Sequence, residues 1–444
     1  MKDLGYSGAR IKEILENSKK VDGYINDYLN SPQNDGRFHN FNPTLMENRG
    51  VTVPMLDILR DLGILGENEG FVALNACDDF LNSLFTQENV PAVRDYLIFT
   101  SALTFSMISD YDRSVSMPDE YYTLTARQIL LTYAHDVLLE EYEKCYIKDS
   151  TVSEVAALLE EVKKGAIDVV CNSEWLSTHG KELARRKILK MRDTVGKNTA
   201  TKNLSDIVMS DNVVENYISL VVSQKRFEYS QLSKEDEARD FFAKDMFDVN
   251  ARYLYQLNAF YICSGLLSEY SEGNLDSYEE ILGHAGRIMA HEISHAYGPL
   301  GIDYDSNGWY EPWLTGEEQA EYDKELQAIA DFFDGKEDEY GRTISGRQIA
   351  NEAYSDILSI KICLYLLSQK ENVDYDRFFR TCAKNLTMYY TEAGTDIPPE
   401  NGYLPGKMRV NYVLGQFDKF YEIYDIDESS PFFVPEDKRI DIFK

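Results

Sequence analysis

The sequence predicts a mainly α-helical protein with, at most, a small β-sheet. Apolar residues recur every three or four positions between charged ones, for example over 9–15 and 152–162, which is the period of a helix with one buried face. Alternating apolar and polar runs are few and short. The better strand candidates are 225–230 with Leu232, and 253–263.

One change of composition indicates a boundary between two lobes. The 444 residues suffice for two or three domains. Over 193–205 the apolar period is lost and glycine, asparagine and threonine accumulate, which is typical of a linker. We therefore expect a helical lobe over 1–200 and a second lobe over 201–444 that contains the small sheet. Segments 334–346 and 394–406 are expected to be loops.

The charge of the chain excludes several kinds of partner. It has 45 Lys and Arg against 76 Asp and Glu, a formal net charge of −31 at pH 7. This charge repels nucleic acids and anionic lipid head groups, so neither is expected to bind.

The longest apolar run, 96–108, is shorter than the roughly 20 residues of a membrane-spanning helix. We expect no membrane span, no export signal and, by default, a cytoplasmic location.

A single motif predicts metal chemistry. His291-Glu292-Ile293-Ser294-His295 lies in a stretch, 277–297, that is expected to be helical. Residues four apart lie on one face of a helix, so both imidazoles can bind one Zn²⁺ while Glu292 faces the water that the metal holds. Because the chain has only six histidines, chance explains this pattern poorly.

A catalytic zinc site needs a third protein ligand. A histidine six residues after His295 is one known solution, but that position is Gly301. The alternative is a glutamate from a later helix, and Glu352 is suitably placed. Asp356, one turn further, can accept a hydrogen bond from a ligand histidine. On spacing alone, an ordinary solvated pair of acids explains these two residues equally well.

These motifs, in this order, resemble the neprilysin and endothelin-converting-enzyme family of zinc endopeptidases, which includes bacterial oligoendopeptidases. The motif helix with its preceding glycines is similar to the family's zinc helix, and 352–356 resembles its E-N-x-x-D box. Residues 258–261 (N-A-F-Y) match the element that holds the substrate backbone. Residues 405–411 (P-G-K-M-R-V-N) match the segment whose arginine contacts a substrate carbonyl. The resemblance covers nearly the whole chain and implies a two-lobed, gluzincin-type metallopeptidase with 201–444 as the catalytic lobe.

The resemblance implies a metal centre with one Zn²⁺ per chain. Its ligands would be His291, His295 and Glu352. Glu292 would act as the general base, taking a proton and passing it to the leaving amine. Asp356 would orient a ligand histidine.

The resemblance also implies residues that hold the substrate. Asn258, Ala259 and Arg409 would bind the peptide backbone. Tyr403 stands six residues before Arg409, where the family has a histidine that stabilises the transition state. The phenol is expected to donate a hydrogen bond to the developing oxyanion in its place.

The main hypothesis is therefore a zinc-dependent endopeptidase that hydrolyses peptides or short oligopeptides. Family members carry a long N-terminal segment that is not recognisable here, so a second chain that supplies it is a further expectation. The alternative is a catalytically degenerate scaffold that binds a peptide or a partner chain without cleavage. Tyr403 favours that alternative, and the complete ligand set favours the enzyme. Thermolysin-like and aminopeptidase zinc enzymes are a third option, against which the matches at 258–261 and 405–411 count.

Overall fold

The structure, a computed structural model, describes residues 1–2, 5–31, 38–41, 50, 53–61, 63, 71–74, 77–108, 127–196, 204, 207–232, 247–273, 275–386 and 402–444. Within these residues the helices are, in chain order, α1 (Gly8–Leu29), α2 (Met55–Asp61), α3 (Cys77–Leu84), α4 (Val90–Ile108), α5 (His135–Tyr146), α6 (Asp149–Cys171), α7 (Thr178–Leu189), α8 (Val213–Leu232), α9 (Ser264–Glu272), α10 (Tyr278–Ile281), α11 (Arg287–Ser294), α12 (Gly316–Phe333), α13 (Gly346–Ser368), α14 (Tyr375–Asn385), α15 (Gly406–Leu414) and α16 (Asp418–Tyr424). The strands are β1 (Phe38–Phe41), β2 (Phe71–Leu74), β3 (Arg192–Val195), β4 (Ala251–Leu254) and β5 (Ala259–Ile262). The predicted mainly α fold with a small sheet is confirmed.

The strands form two small sheets. β1 and β2 are an antiparallel pair, and the other sheet has the order β3-β5-β4. β5 is its central strand, parallel to β3 and antiparallel to β4, so that Ala259 lies opposite both Arg192 and Leu254. In the described part of the chain, β4 pairs with β5 alone. Among the described residues, the other long edge of β4, here called its open edge, is therefore paired with no strand.

The chain divides into two compact units, and the division differs from the predicted boundary at residue 200. The first unit is 1–138 with 199–244, and the second is 139–198 with 245–444. Residues 139–198 belong to the second unit because α6 packs against α11 and α13. The sequence places these residues on the other side of the boundary because contacts between distant segments leave no local mark on composition.

In the first unit, α1 packs along α4. The two helices are also joined by a buried carboxylate: Asp95 accepts hydrogen bonds from Arg10 Nη1 at 2.8 Å and from Asn17 Nδ2 at 2.7 Å. Because Asp95 is fully buried, these hydrogen bonds are needed to offset the desolvation cost of its charge.

Among the described residues of the whole chain, no helix is both long and apolar enough to span a membrane.

The second unit contains the larger core, built around α6, α11, α13 and the three-stranded sheet. A half-buried carboxyl group lies at its margin, on α12. Glu325 Oε1 accepts hydrogen bonds from the Trp175 indole at 2.8 Å and from the Phe443 backbone at 2.9 Å, whereas its buried Oε2 has no hydrogen-bond partner in the described structure. Burial raises the pKa of Glu325 to about 7, although both hydrogen bonds oppose the shift.

One local prediction from periodicity is wrong. Residues 225–230 are not a strand but part of α8, where Lys225 and Glu228 form an i,i+3 ion pair at 2.6 Å. These six residues fit the period of a strand and that of a helix equally well, and the helical residues before them determine that they continue α8. Within the expected linker, Arg192–Val195 form β3, whereas 197–203 and 205–206 lie outside the described residues. The strand candidate over 253–263 is interrupted by a 3₁₀ turn, Tyr255–Leu257: β5 lies inside the candidate, and β4 overlaps it at Tyr253 and Leu254.

The two expected loops have different outcomes. The loop over 334–346 is present between α12 and α13, and it contains an isolated antiparallel bridge between Glu337 and Thr343. Of the loop expected over 394–406, residues 394–401 lie outside the described residues.

Candidate metal centre

The motif histidines lie on a helical rod with an irregular middle. α10 and α11 are joined by Leu282–Gly286, a single π-helical turn, which is a feature often found near functional sites. Gly283 is required there because a Cβ atom would lie 2.9 Å from the backbone oxygen of Phe378 on α14. The helical stretch predicted over 277–297 is present, with a widened turn that periodicity does not reveal.

Two imidazoles and a carboxylate converge between α11 and α13. Nε2 of His291 lies 3.2 Å from Glu352 Oε2, and Nε2 of His295 lies 3.6 Å from the same oxygen. His291, Glu292 and His295 offer ligand atoms that all lie within 4.8 Å of one another. Ligand atoms of a tetrahedral zinc ion, each about 2.0–2.2 Å from the metal, are about 3.4 Å apart. The spacing and chemistry of the three side chains therefore fit a zinc ion.

A buried ion pair supports this cluster from behind. Asp356 is 3% exposed, and its Oδ1 lies 2.9 Å from His291 Nδ1. Arg409 donates to the same carboxylate from Nε at 2.7 Å and from Nη2 at 2.6 Å. Burial raises the pKa of Asp356, but Arg409 and His291 outweigh burial and hold it well below its ordinary value. Asp356 is thus an anion that faces His291, and two N–H groups of Arg409 are directed at it rather than at a substrate.

The pKa values of the two motif imidazoles shift in opposite directions. Burial lowers the pKa of His291, but Asp356 and Glu352 outweigh burial and raise it to about 9. Burial, with the nearby charge of His291, lowers the pKa of His295 to about 4. Since a metal ligand must be a neutral imidazole, binding of a metal here releases a proton from His291 at neutral pH.

The motif glutamate contacts the small sheet. Glu292 Oε2 accepts a hydrogen bond from the backbone N–H of Tyr253 on β4, at 2.9 Å. Burial raises the pKa of Glu292 to about 7, and the charge of His291 opposes the shift. A carboxyl group with a pKa near neutrality can both take up and release a proton.

Tyr403 lies near both carboxylates of the site. Its ring stacks over Arg409, whose guanidinium carbon is 5.2 Å from the ring centre. Burial raises the pKa of its phenol, and the negative charges of Glu352 and Glu292 raise it further. The hydroxyl group therefore stays protonated and can act as a hydrogen-bond donor.

The predicted backbone-binding residues Asn258 and Ala259 are not available to a substrate. Asn258 is 1% exposed, with a left-handed backbone (φ 44°). Its Nδ2 donates to the backbone oxygens of Lys187 and Ser306, both at 2.9 Å, and its Oδ1 accepts from the Tyr253 hydroxyl at 2.9 Å. Ala259 lies on the central strand, between two neighbours. This geometry corrects the predicted role, since both residues serve to build the sheet.

Sequence reasoning missed two features of the site. The open edge of β4, at Ala251 and Tyr253, adjoins Glu292. A signal for it exists, because Asn250-Ala251-Arg252-Tyr253 is a second N-A-x-Y element. The hydroxyl of Ser355 lies 3.0 Å from His295 Nδ1, and no motif indicates that contact.

Known proteins with similar sequences include peptidases. Residues 250–440 match peptidase family M13. The neutral endopeptidase of Lactococcus lactis subsp. lactis (strain IL1403) is 22% identical to this chain, over 97% of the chain and 72% of that protein. Neprilysin of Homo sapiens is 22% identical over 39% of the chain and 24% of its own length.

Solved structures share the fold. PEPO from Lactobacillus rhamnosis HN001 superposes with a TM-score of 0.78 at 22% identity, over 99% of this chain and 72% of that one. A zinc metalloprotease of Mycobacterium tuberculosis gives 0.71 at 16% identity, over 99% and 72%. The family match over 250–440, together with the endopeptidase relatives, confirms the family resemblance inferred from the motifs.

Proposed function

We propose, from the premise that residues 250–440 belong to peptidase family M13, that the protein is a zinc-dependent endopeptidase. One observation carries the proposal: both motif imidazoles direct Nε2 at Glu352 Oε2, at 3.2 and 3.6 Å, a spacing that fits a tetrahedral zinc ion. The metal is Zn²⁺. A set of three side-chain ligands is typical of catalytic rather than structural zinc sites.

His291, His295 and Glu352 hold the metal in this proposal, and Asp356 fixes the orientation of His291. When bound, zinc supplies Lewis-acid chemistry that polarises a carbonyl group and acidifies water. Asp356 has the charge and the position for its role, because Arg409 keeps it anionic and its Oδ1 lies 2.9 Å from His291 Nδ1. A carboxylate behind a ligand histidine fixes its tautomer and ring orientation.

Glu292 is the proposed general base, and it then donates the proton to the leaving amine. Its raised pKa suits both steps, and its hydrogen bond with Tyr253 sets it against the open edge of β4. Tyr403, held in its protonated form, donates to the oxyanion that develops on the scissile carbonyl. The loss of one such donor typically lowers the rate about 10²–10³-fold.

The substrate is proposed to bind as an extended peptide along β4. An exposed sheet edge binds a peptide strand through backbone hydrogen bonds, which are independent of side-chain identity. The register supports this role: Asn250 accepts from Cys263 of the neighbouring segment, so Ala251 and Tyr253 direct their backbone groups to the open edge. Their N–H groups donate there to Asn250 Oδ1 and Glu292 Oε2, and their carbonyl oxygens are the groups proposed to accept from a peptide. Arg409 contributes to the substrate site through Asp356 and Tyr403 rather than as a free donor.

The test is cleavage of a mixed short-peptide library by the purified chain, with and without a zinc chelator. Glu292→Gln is the inactive variant, and Glu317→Gln, at an exposed glutamate of α12, is the matched control. We expect chelator-sensitive cleavage at internal bonds by the wild type and the control, and none by Glu292→Gln although it binds zinc. Cleavage by Glu292→Gln at the wild-type rate would refute the mechanism.

The same assay addresses the other expectations. Stoichiometric zinc without cleavage by the wild type would favour the peptide-binding scaffold, or a second chain that is needed for activity. A second chain stays a prediction of the sequence. Cleavage by this chain alone would make it unnecessary.

A further inference from the structure

The two motif histidines are held by different chemical groups. His291 Nδ1 faces the carboxylate of Asp356 at 2.9 Å. His295 Nδ1 instead lies 3.0 Å from the hydroxyl oxygen of Ser355, a side chain with no exposed surface. One imidazole thus has an anionic partner and the other a neutral one.

When Nε2 of His295 is the metal ligand, the hydroxyl of Ser355 is placed to accept the ring proton on Nδ1. Nε2 of His295 faces Glu352, so the proton of a neutral, metal-binding ring must be on Nδ1. The amide Nδ2 of Asn351 lies 3.5 Å from that atom, but it is a donor and gives its hydrogen bond to Glu352 Oε1 at 3.0 Å. If the oxygen and nitrogen of the Asn351 amide exchanged places, the oxygen would face the Glu352 carboxylate and the hydrogen bond between Nδ2 and Glu352 Oε1 would be lost. Of the two described side chains that contact this atom, Ser355 is the one with an oxygen placed to accept.

We propose that Ser355 is a positioning residue that fixes the tautomer and ring orientation of His295 for zinc binding. The inference rests on the proposed zinc site and deepens it. Ser355 and Asp356 follow Glu352 by three and four residues on α13, so they share one helical face. This helix therefore supplies the third ligand and also orients both imidazoles.

Loss of the contact between Ser355 and His295 is expected to weaken zinc binding. Ser355→Ala leaves a buried N–H of His295 without an acceptor and lets the ring turn. Removal of a group that orients a ligand typically weakens metal affinity about 10–100-fold. We expect the zinc Kd of Ser355→Ala to rise by that factor. KM should stay within about twofold, because Ser355 acts through His295 and does not touch the substrate.

The chain offers a matched control on the same helix. Ser359 is also fully buried, and its hydroxyl donates to the backbone oxygen of Asp356 at 2.7 Å, away from the imidazoles. Ser359→Ala removes the same atom from the same kind of environment. Ser355→Thr retains a hydroxyl group and serves as the conservative variant.

The experiment measures zinc Kd by chelator competition, the visible spectrum of the Co²⁺-substituted protein, and the Tm of the metal-free forms. We expect Ser355→Ala alone to lose zinc affinity and change the cobalt spectrum, with a metal-free Tm equal to that of Ser359→Ala. Ser355→Thr should bind zinc within about threefold of the wild type. A Ser355→Ala Kd within twofold of the wild type, an equal loss in Ser359→Ala, or no rescue by threonine would overturn the proposal.

The outcome is separable from failure of the proposed function. A wild type that binds no zinc, or that binds it without cleaving peptides, contradicts the endopeptidase. A wild type that binds zinc and cleaves, beside a Ser355→Ala variant of unchanged zinc affinity, contradicts only the role of Ser355.

Discussion

Replacing Arg409 by methionine is expected to destabilise the second unit, because the change leaves a buried anion without its strongest partner. Two N–H groups of Arg409 bind Asp356 at 2.7 and 2.6 Å, and both side chains are largely buried. Arg287 lies 4.0 Å from the same carboxylate and is too distant to replace these hydrogen bonds. Methionine keeps most of the apolar stem but has no donor.

The magnitude follows from the burial of the pair. Removing one partner of a buried ion pair typically costs about 3–5 kcal/mol, much of it the desolvation of the charge left behind. For a unit of roughly this size, 1 kcal/mol corresponds to about 2–4 °C in Tm. The expected fall is therefore about 6–20 °C. Asp356→Asn in the same chain should restore part of it, since it removes the unpaired charge.

The assay is thermal unfolding of the zinc-free protein, so that lost metal affinity does not enter the result. Arg380→Met is the control, because Arg380 forms an exposed ion pair with Asp376 at 2.7 Å that should contribute less than about 1 kcal/mol. Unchanged Tm in Arg409→Met together with a raised KM would refute the reasoning. That result would return Arg409 to the substrate-binding role predicted from the sequence.

Two further predictions concern the second unit. The folded state holds the proton of Glu325 up to a pKa of about 7, above its ordinary value, so this group's contribution to stability is complete at low pH and is lost as pH rises through about 4.5 to 7. Glu325→Gln cannot ionise at this position and so keeps its stability as pH rises. Its free energy of unfolding in urea, relative to that of the wild type, should therefore rise by up to about 3 kcal/mol between pH 5 and pH 8. A difference that stays constant over this range would contradict the prediction. Asn258→Ala removes three buried hydrogen bonds and should lower stability by about 2–5 kcal/mol while KM stays within twofold. The control is Asn250→Ala, at the exposed asparagine of the other N-A-x-Y element, which should leave Tm unchanged. If Asn258→Ala raised KM without lowering Tm, the predicted role of Asn258 in substrate binding would be correct after all.

The parts of the site that the sequence predicts are those that depend on helix geometry. His291 and His295 share a face because they are four residues apart, and Glu352 and Asp356 share one for the same reason. These two spacings survive folding because each is set within a single helix. Ser355 has the same periodic relation to Glu352, but its partner, His295, is on another helix. No local pattern distinguishes it from other serines in the chain.

Which of the two N-A-x-Y strands adjoins the site could not be decided from the sequence, because the answer depends on a distant segment. Asn250-Ala251-Arg252-Tyr253 and Asn258-Ala259-Phe260-Tyr261 are equivalent by pattern and lie on the two arms of one hairpin. In a two-stranded hairpin both β4 and β5 are edge strands, and a third strand can pair with either of them. β3, far upstream in the sequence, pairs with β5 and thereby leaves β4 as the arm with an open edge. Because β5 has both its edges paired, β4 is the arm of this hairpin that can accept an extended peptide, and the backbone N–H of its Tyr253 donates to Glu292 Oε2 at 2.9 Å.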